Sequence, residues 1–273
     1  MSPRPSYLRV LYIFGRNSLV RDMTFRTNFI IQCVSSLSWT VMNVGFYLLI
    51  FTLTPMIGEG TGWGKYEFLV FLATTYFVNS LVQTFFMPNA EEFSELIRTG
   101  GLDFVLLKPI DTQFIVSLQR VAWSQLTNFF FGLLLLGYAL GHLKYRPRLA
   151  EVLLYPMYVV CGVLIMYSLM LSLSATSVWL GRNQTLYNFW FYITNFSRYP
   201  MEIYSEFRPL YCTFTYLIPV LVVINVPARL LAKPMQEGEG ELAVFALIAT
   251  VVSLLASRWI FRRSLLSYRS ASS

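Results

Sequence analysis

Four long charge-free intervals constrain this chain more than any other feature. No Asp, Glu, Lys or Arg occurs in residues 27–58, 68–90, 121–143 or 152–181. A helix needs about 20 largely apolar residues to cross a bilayer core, so each interval holds one crossing. The intervals predict spans near residues 29–53, 68–87, 121–143 (starting as early as Phe114) and 152–181. Composition points the same way. Hydrophobic residues make up 56% of the chain and charged residues 13%, about half the usual charged share. A water-soluble globule so poor in charge cannot cover its surface, which excludes a soluble enzyme and a disordered chain. The expected class is an all-α polytopic membrane protein, one transmembrane domain over residues 1–273.

The last third is less regular. Residues 183–197 carry no charge, but they contain Asn183, Asn188 and Asn195 among dense aromatic residues. Residues 209–228 are interrupted by Pro219 and Pro227, whereas 242–261 are apolar apart from Arg258 near the end. Charge sets the number of crossings. Arg4, Arg9, Arg16, Arg21 and Arg26 precede the first span, and Arg262, Arg263 and Arg269 follow the last. Basic flanks mark the cytoplasmic side, so both termini belong there and the span count is even, six. In one arrangement, residue 185 to about residue 204 form span five, and residues 205–240 hold an outer re-entrant hairpin. Its inner segments then carry 13 basic residues and its outer ones 8. In the other, residues 209–228 are span five and residues 183–197 re-enter from the cytoplasmic side.

Three segments outside the spans are unusually well specified. Within residues 1–27, Tyr7, Val10, Leu11 and Phe14 make one apolar helical stripe with Arg9 and Arg16 opposite. That pattern describes an amphipathic helix in the membrane interface, or a plain positive-inside anchor. Residues 88–112 form the linker between spans two and three. Asn89 with Glu92 has capping-box spacing, Glu91 and Glu92 suit a helix start, Arg98 suits its end, and Gly100 and Gly101 stop it. Phe93, Leu96 and Ile97 form an apolar knob ringed by Glu95 and other charges. A cytoplasmic helix so defined suits docking onto another protein; the alternative is a helix resting on the membrane. The third segment holds Arg198, Glu202, Glu206 and Arg208. Glu202 and Glu206 are four apart and share a helix face, which points to an outer gate or to a neutralised interfacial turn.

Other signals are weak. Gly137 and Gly141 have small-residue packing spacing, and Gly58, Gly60, Gly62 and Gly64 mark a flexible outer loop. Cys33, Cys161 and Cys212 lie in apolar runs, as buried packing residues rather than a disulfide framework or metal site. His142, the only histidine, falls in a short polar turn. No GxxxxGK[ST], HExxH or GxSxG pattern occurs. The first apolar run is too long for a cleavable signal, and the Asn183 and Asn195 sequons lie in apolar surroundings.

The linker run Ile97-Arg98-Thr99-Gly100-Gly101-Leu102-Asp103-Phe104-Val105-Leu106-Leu107-Lys108-Pro109 resembles the R-x-G-x-L-D-x-x-L-x-x-P stretch of the ABC type-2 exporter permeases, in the branch of compact six-span bacterial subunits. Tyr199-Pro200, Leu217-Ile218-Pro219, Val226-Pro227-Ala228 and the terminal Tyr268-Arg269-Ser270-Ala271-Ser272 are similar to that branch as well. The resemblance implies a permease of the bacterial inner membrane, paired with a second copy or a sister subunit. A separate cytoplasmic ATPase would hold the ATP and magnesium, with no cofactor in this chain and no nucleic-acid partner. The linker would be its coupling helix, with Glu91, Glu92, Phe93, Glu95, Leu96, Ile97, Arg98, Gly100, Asp103 and Lys108 in the docking region. The cargo of such families includes drugs, lipids and polysaccharides, and the aromatic spans suit an amphipathic one. A secondary transporter without an ATPase is the weaker reading, since no internal repeat or midspan charge occurs in spans one to four. A non-transporting anchor or assembly subunit fits the linker too.

Overall fold

The computed structural model describes residues 6–58, 60–180, 184–234 and 239–268. Arg4, Gly181, Asn183 and residues 269–272, used above, lie outside them. Among the described residues the fold is all-α, with an isolated bridge between Met56 and Gly64 the only β pairing. Five helical stretches are long and apolar enough to cross a membrane: Arg26–Leu53, Lys65–Thr99, Trp123–His142, Leu149–Trp179 and Gly240–Ser267. A sixth candidate, Arg208–Leu217 with Val220–Ala232, is bent by 83°.

The chain opens with helix α1 (Tyr7–Thr24). Its apolar stripe meets protein: Tyr7 and Phe14 lie 5.0 and 6.3 Å from the Phe114 ring. Ser18 accepts from the Val121 N–H at 3.1 Å, and Trp123 donates to the Gly15 carbonyl at 3.1 Å. Helix α2 (Arg26–Leu53) is the first span. Helix α3 (Lys65–Phe85) follows, and α4 (Met87–Thr99) continues it. The expected capping box at Asn89 is therefore absent. Asn89 sits inside the helix, where its side chain donates to the Phe85 and Arg120 carbonyls and accepts from the Arg120 N–H, each at 2.7 Å. The 35 residues from Lys65 to Thr99 would extend about 52 Å at helical rise, well beyond a core of about 30 Å. The linker helix is thus the projecting end of span two.

Helix α5 (Leu102–Leu106) and α6 (Thr112–Leu118) complete the linker, and a 3-10 turn at Trp123–Gln125 leads into α7 (Leu126–His142). His142 closes that helix, its ring stacked 5.3 Å from Tyr66. Helix α8 (Leu149–Leu180) returns. Helix α9 (Gln184–Asn195) has only 12 residues, and 3-10 turns at Phe196–Arg198 and Met201–Tyr204 follow it. Span five as expected, from residue 185 to about residue 204, is therefore not one long helix. The chain nonetheless changes ends there. Helix α8 finishes near the linker, where Ala175 packs with Phe93 and Phe261, whereas Glu202 meets Trp63 in the loop before α3. A short helix α10 (Arg208–Cys212) runs into a π-turn, and α11 (Val220–Ala232) leads back to that loop, where Lys233 donates to the Thr61 carbonyl at 2.7 Å. Helix α12 (Glu239–Ser267) runs back to the linker.

The main core joins α3, α8 and α11 around Phe68, Phe71, Met166 and Ile224. Its tightest point is explained by two residues. Pro227 lacks the N–H that would bond the Val223 carbonyl four residues back. Gly162 of α8 lies against that carbonyl, so close that a Cβ there would fall 2.7 Å from the oxygen. The spacing of Gly137 and Gly141 has no such role, since nothing lies within 4 Å of a Cβ at either. Of the three cysteines expected to be buried, Cys161 is, whereas Cys33 is half-buried and Cys212 exposed.

Candidate functional site

Two clusters of polar and charged groups occupy opposite ends of the bundle. At the linker end, α4 presents its acids in different ways. Glu91 is exposed, Glu92 pairs with Arg120 at 2.7 Å, and Glu95 holds Arg98 through two bonds of 2.8 and 2.5 Å. The Arg98 hydrogen bond holds the Glu95 carboxyl below its ordinary pKa. Gly100 ends the helix with φ of +73°, the left-handed conformation that glycine adopts without penalty.

The expected apolar knob is reversed. Phe93 is fully buried, packed 5.6 Å from Phe261 in a cluster with Leu102, Val105 and Ile115. Leu96 and Ile97 are half-buried against the same cluster. The most exposed apolar residues of the linker are Phe104 and Leu107, 74% and 82% accessible, with Leu106 less so and Lys108 exposed beside them. Period-based reading of α4 missed them because they lie past the Gly100-Gly101 break, where one buried turn (Leu102, Val105) fixes which side faces out. Asp103 instead interacts with Tyr268 near the end of α12.

The linker is also tied to the last span. Asp111 caps α6 by accepting from the Phe114 N–H at 3.1 Å and takes two bonds from Arg258, 3.0 and 2.6 Å. Arg258 also donates to Gln113 at 2.7 Å, and Gln113 donates to the Tyr167 hydroxyl of α8 at 3.0 Å. The Arg258 hydrogen bond, against partial desolvation, holds the Asp111 carboxyl below the usual carboxylate range. The linker is thereby tied to α8 and α12 by side-chain bonds, and a planar guanidinium on a carboxylate fixes geometry as well as charge.

At the opposite end, only one of the four expected gate residues is in a cluster. Glu202 accepts from the Trp63 indole and from Arg229, both at 2.7 Å, with the Lys233 ammonium 3.6 Å away. Lys233 also sits 4.1 Å over the Trp63 ring. Arg198, Glu206 and Arg208 are exposed. Glu202 and Glu206 share no helix face, because the 3-10 turn ends at Tyr204. Asn225, fully buried in α11, accepts from the Met201 N–H at 2.9 Å. The sequence reading missed Trp63, Asn225, Arg229 and Lys233. The polar and basic residues four apart inside an apolar run, Asn225, Arg229 and Lys233, are the signal that marks them.

The described residues thus form a bundle of apolar helices with a linker helix at one end packed on the last of them. The family described as ABC-2 family transporter protein matches residues 37–272, and the chain belongs to it. It is a permease subunit of an ABC transporter, a multi-pass membrane protein and not itself catalytic. No curated protein and no solved structure matches the chain significantly.

Proposed function

We propose that this permease is the membrane half of an ATP-driven exporter for an amphipathic, drug-like or lipid-like cargo in a bacterial inner membrane. Both termini are cytoplasmic, the permease pairs with a second copy or a sister subunit, and a separate ATPase supplies ATP and magnesium. The observation that carries the reading is the projecting α3–α4 helix. Its first half is core, with 13 of the 21 residues of α3 buried, and past its end the linker exposes Phe104 and Leu107 beside Lys108. Two exposed apolar side chains on a charged mount suit a protein partner. The Asp111–Arg258 pair and the Phe93–Phe261 contact would carry ATPase movement into α12 and α8.

The test is binding of the ATPase subunit that copurifies with the permease. Phe104→Ala with Leu107→Ala is expected to weaken it about tenfold or more, the scale of one interface anchor, and to abolish vanadate-sensitive cargo-stimulated hydrolysis. Leu149→Ala, an equally exposed position at the opposite end (76% accessible), is expected to leave binding unchanged. Unchanged binding in the double variant, or equal loss in the control, overturns the docking assignment.

A further inference from the structure

Helix α2 carries a polar stripe. Gln32, Ser36, Thr40 and Asn43 recur at helical spacing along one face and meet polar partners on neighbouring elements. Gln32 accepts from Ser124 at 3.1 Å. Asn128 donates to Ser36 at 2.7 Å and accepts from Thr40 at 3.0 Å. Tyr76 of α3 donates to Asn43 at 3.0 Å. From Gln32 to Asn43 the seam rises about 16 Å at helical pitch, roughly half of a bilayer core. Polar side chains are costly in lipid and accumulate where something polar passes or binds. Interhelical hydrogen bonds in membranes are individually weak, so each bond of the seam costs little to part.

A cavity of about 340 Å³ lies at the foot of the seam, between α1, α2 and the turn before α7. It is lined by Arg21, Asp22, Phe25, Asn28, Gln32 and Ser124 among others, so Gln32 and Ser124 belong to both cavity and seam. Phe25, Asn28 and Gln32 are exposed, and the cavity therefore opens toward the surroundings of the bundle. Its lining offers one cation and one anion, which are held only loosely to each other at 3.7 Å. Two side-chain amides, Asn28 and Gln32, and two aromatic rings, Phe25 and Phe29, line it as well.

We propose that this cavity binds the zwitterionic headgroup of a phospholipid-like amphiphile drawn from the bilayer, and that the seam above it is the path the headgroup follows. Arg21 takes the phosphate and Asp22 the ammonium. Asn28 and Gln32 donate to the remaining oxygens, and Phe25 covers the start of the acyl chains. The tails stay in lipid beside the exposed face of α2. The inference rests on the export reading for its direction, but the site itself needs no ATPase.

The full-length permease in nanodiscs, without ATPase, is labelled with photoactivatable phosphatidylethanolamine. Label is expected in the peptides holding residues 21–32 and 122–128, and excess phosphatidylethanolamine is expected to compete about tenfold better than phosphatidylglycerol, the size of one charge-assisted contact. Arg21→Ala with Gln32→Leu is expected to lower the label to a similar extent. Gln32→Asn retains the amide and reports folding together with the elution profile. Equal competition by phosphatidylglycerol, undiminished label in the folded double variant, or a disulfide between two copies of an Asn28→Cys variant, which would show the cavity covered by a second chain, overturns the proposal. Loss of ATP-driven transport with normal labelling counts against the export reading instead. Normal transport without specific label counts against the site alone.

Discussion

Helices α2 and α11 are both apolar, and the molecule uses them in opposite ways. Of the 28 residues of α2, three are buried; of the 13 residues of α11, twelve are. Helix α2 has a good hydropathy profile for a span and lies at the periphery, fastened by its polar seam and, further along, by Tyr47 and Phe51 on Phe68. Helix α11 is interrupted by Pro227 and flanked by Pro219, features that make it a poor lone span, yet it is the centre of the core. Average hydropathy reports tolerance for a non-aqueous place. Whether that place is lipid or protein is decided by what the backbone needs. A segment with broken helical bonding survives at membrane depth only where protein satisfies it, and α11 is enclosed by α3, α8 and α12.

The sharpest way to break this contrast is to unfasten α11 at its end. Glu202→Leu removes the acceptor shared by Trp63 and Arg229 and the carboxylate nearest Lys233. Removing one partner of a buried pair costs about 3–5 kcal/mol, and a side chain still 20% accessible brings this to about 2–3 kcal/mol. Thermal unfolding in detergent is expected to fall accordingly, with Trp63 fluorescence shifted to the red. An unchanged midpoint would mean that packing alone places α11.

The second test is steric. Gly162→Ala puts a methyl 2.7 Å from the Val223 carbonyl, forcing α8 and α11 apart at a cost of about 1–3 kcal/mol. Gly137→Ala, with nothing within 4 Å of the new methyl, is expected to be neutral. The pair of variants separates a packing glycine from one that merely has the right spacing. Differential scanning fluorimetry of the two proteins side by side reads the result.

The legible parts of this molecule were those set by one-dimensional quantities. Charge-free length located four spans, and the Gly100-Gly101 stop and the terminal arginines were visible as residues. The even crossing count was expected from charge, whereas the described residues hold five candidate spans, or six if the bent pair of α10 and α11 counts as one. What was not legible depended on three-dimensional neighbours. Phe93 reads as an exposed knob on α4 until α12 brings Phe261 onto it. Glu202 and Glu206 read as a pair until Pro200 and a 3-10 turn change the period from 3.6 to 3. Arg258 reads as a lone charge near the end of an apolar run, whereas its partner, Asp111, stands 147 positions away. A polar stripe within an apolar span has low weight in any composition window, which is why the seam of α2 escaped notice.

The smallest expected effect lies in that seam. Ser36→Ala removes the acceptor for Asn128 and a long 3.5 Å contact to Gln125, while Asn128 keeps its bond from Thr40. Interhelical bonds of this kind average about 0.6 kcal/mol in membranes, so the unfolding midpoint is expected to move little, several-fold less than for Glu202→Leu. The two helices then differ in kind. The polar anchor of α11 is a cluster around one half-buried carboxylate, which resists opening, and that of α2 is a row of separate weak bonds. A stability loss from Ser36→Ala as large as that from Glu202→Leu would show that α2 is part of the rigid core after all, and the contrast between the two helices would collapse.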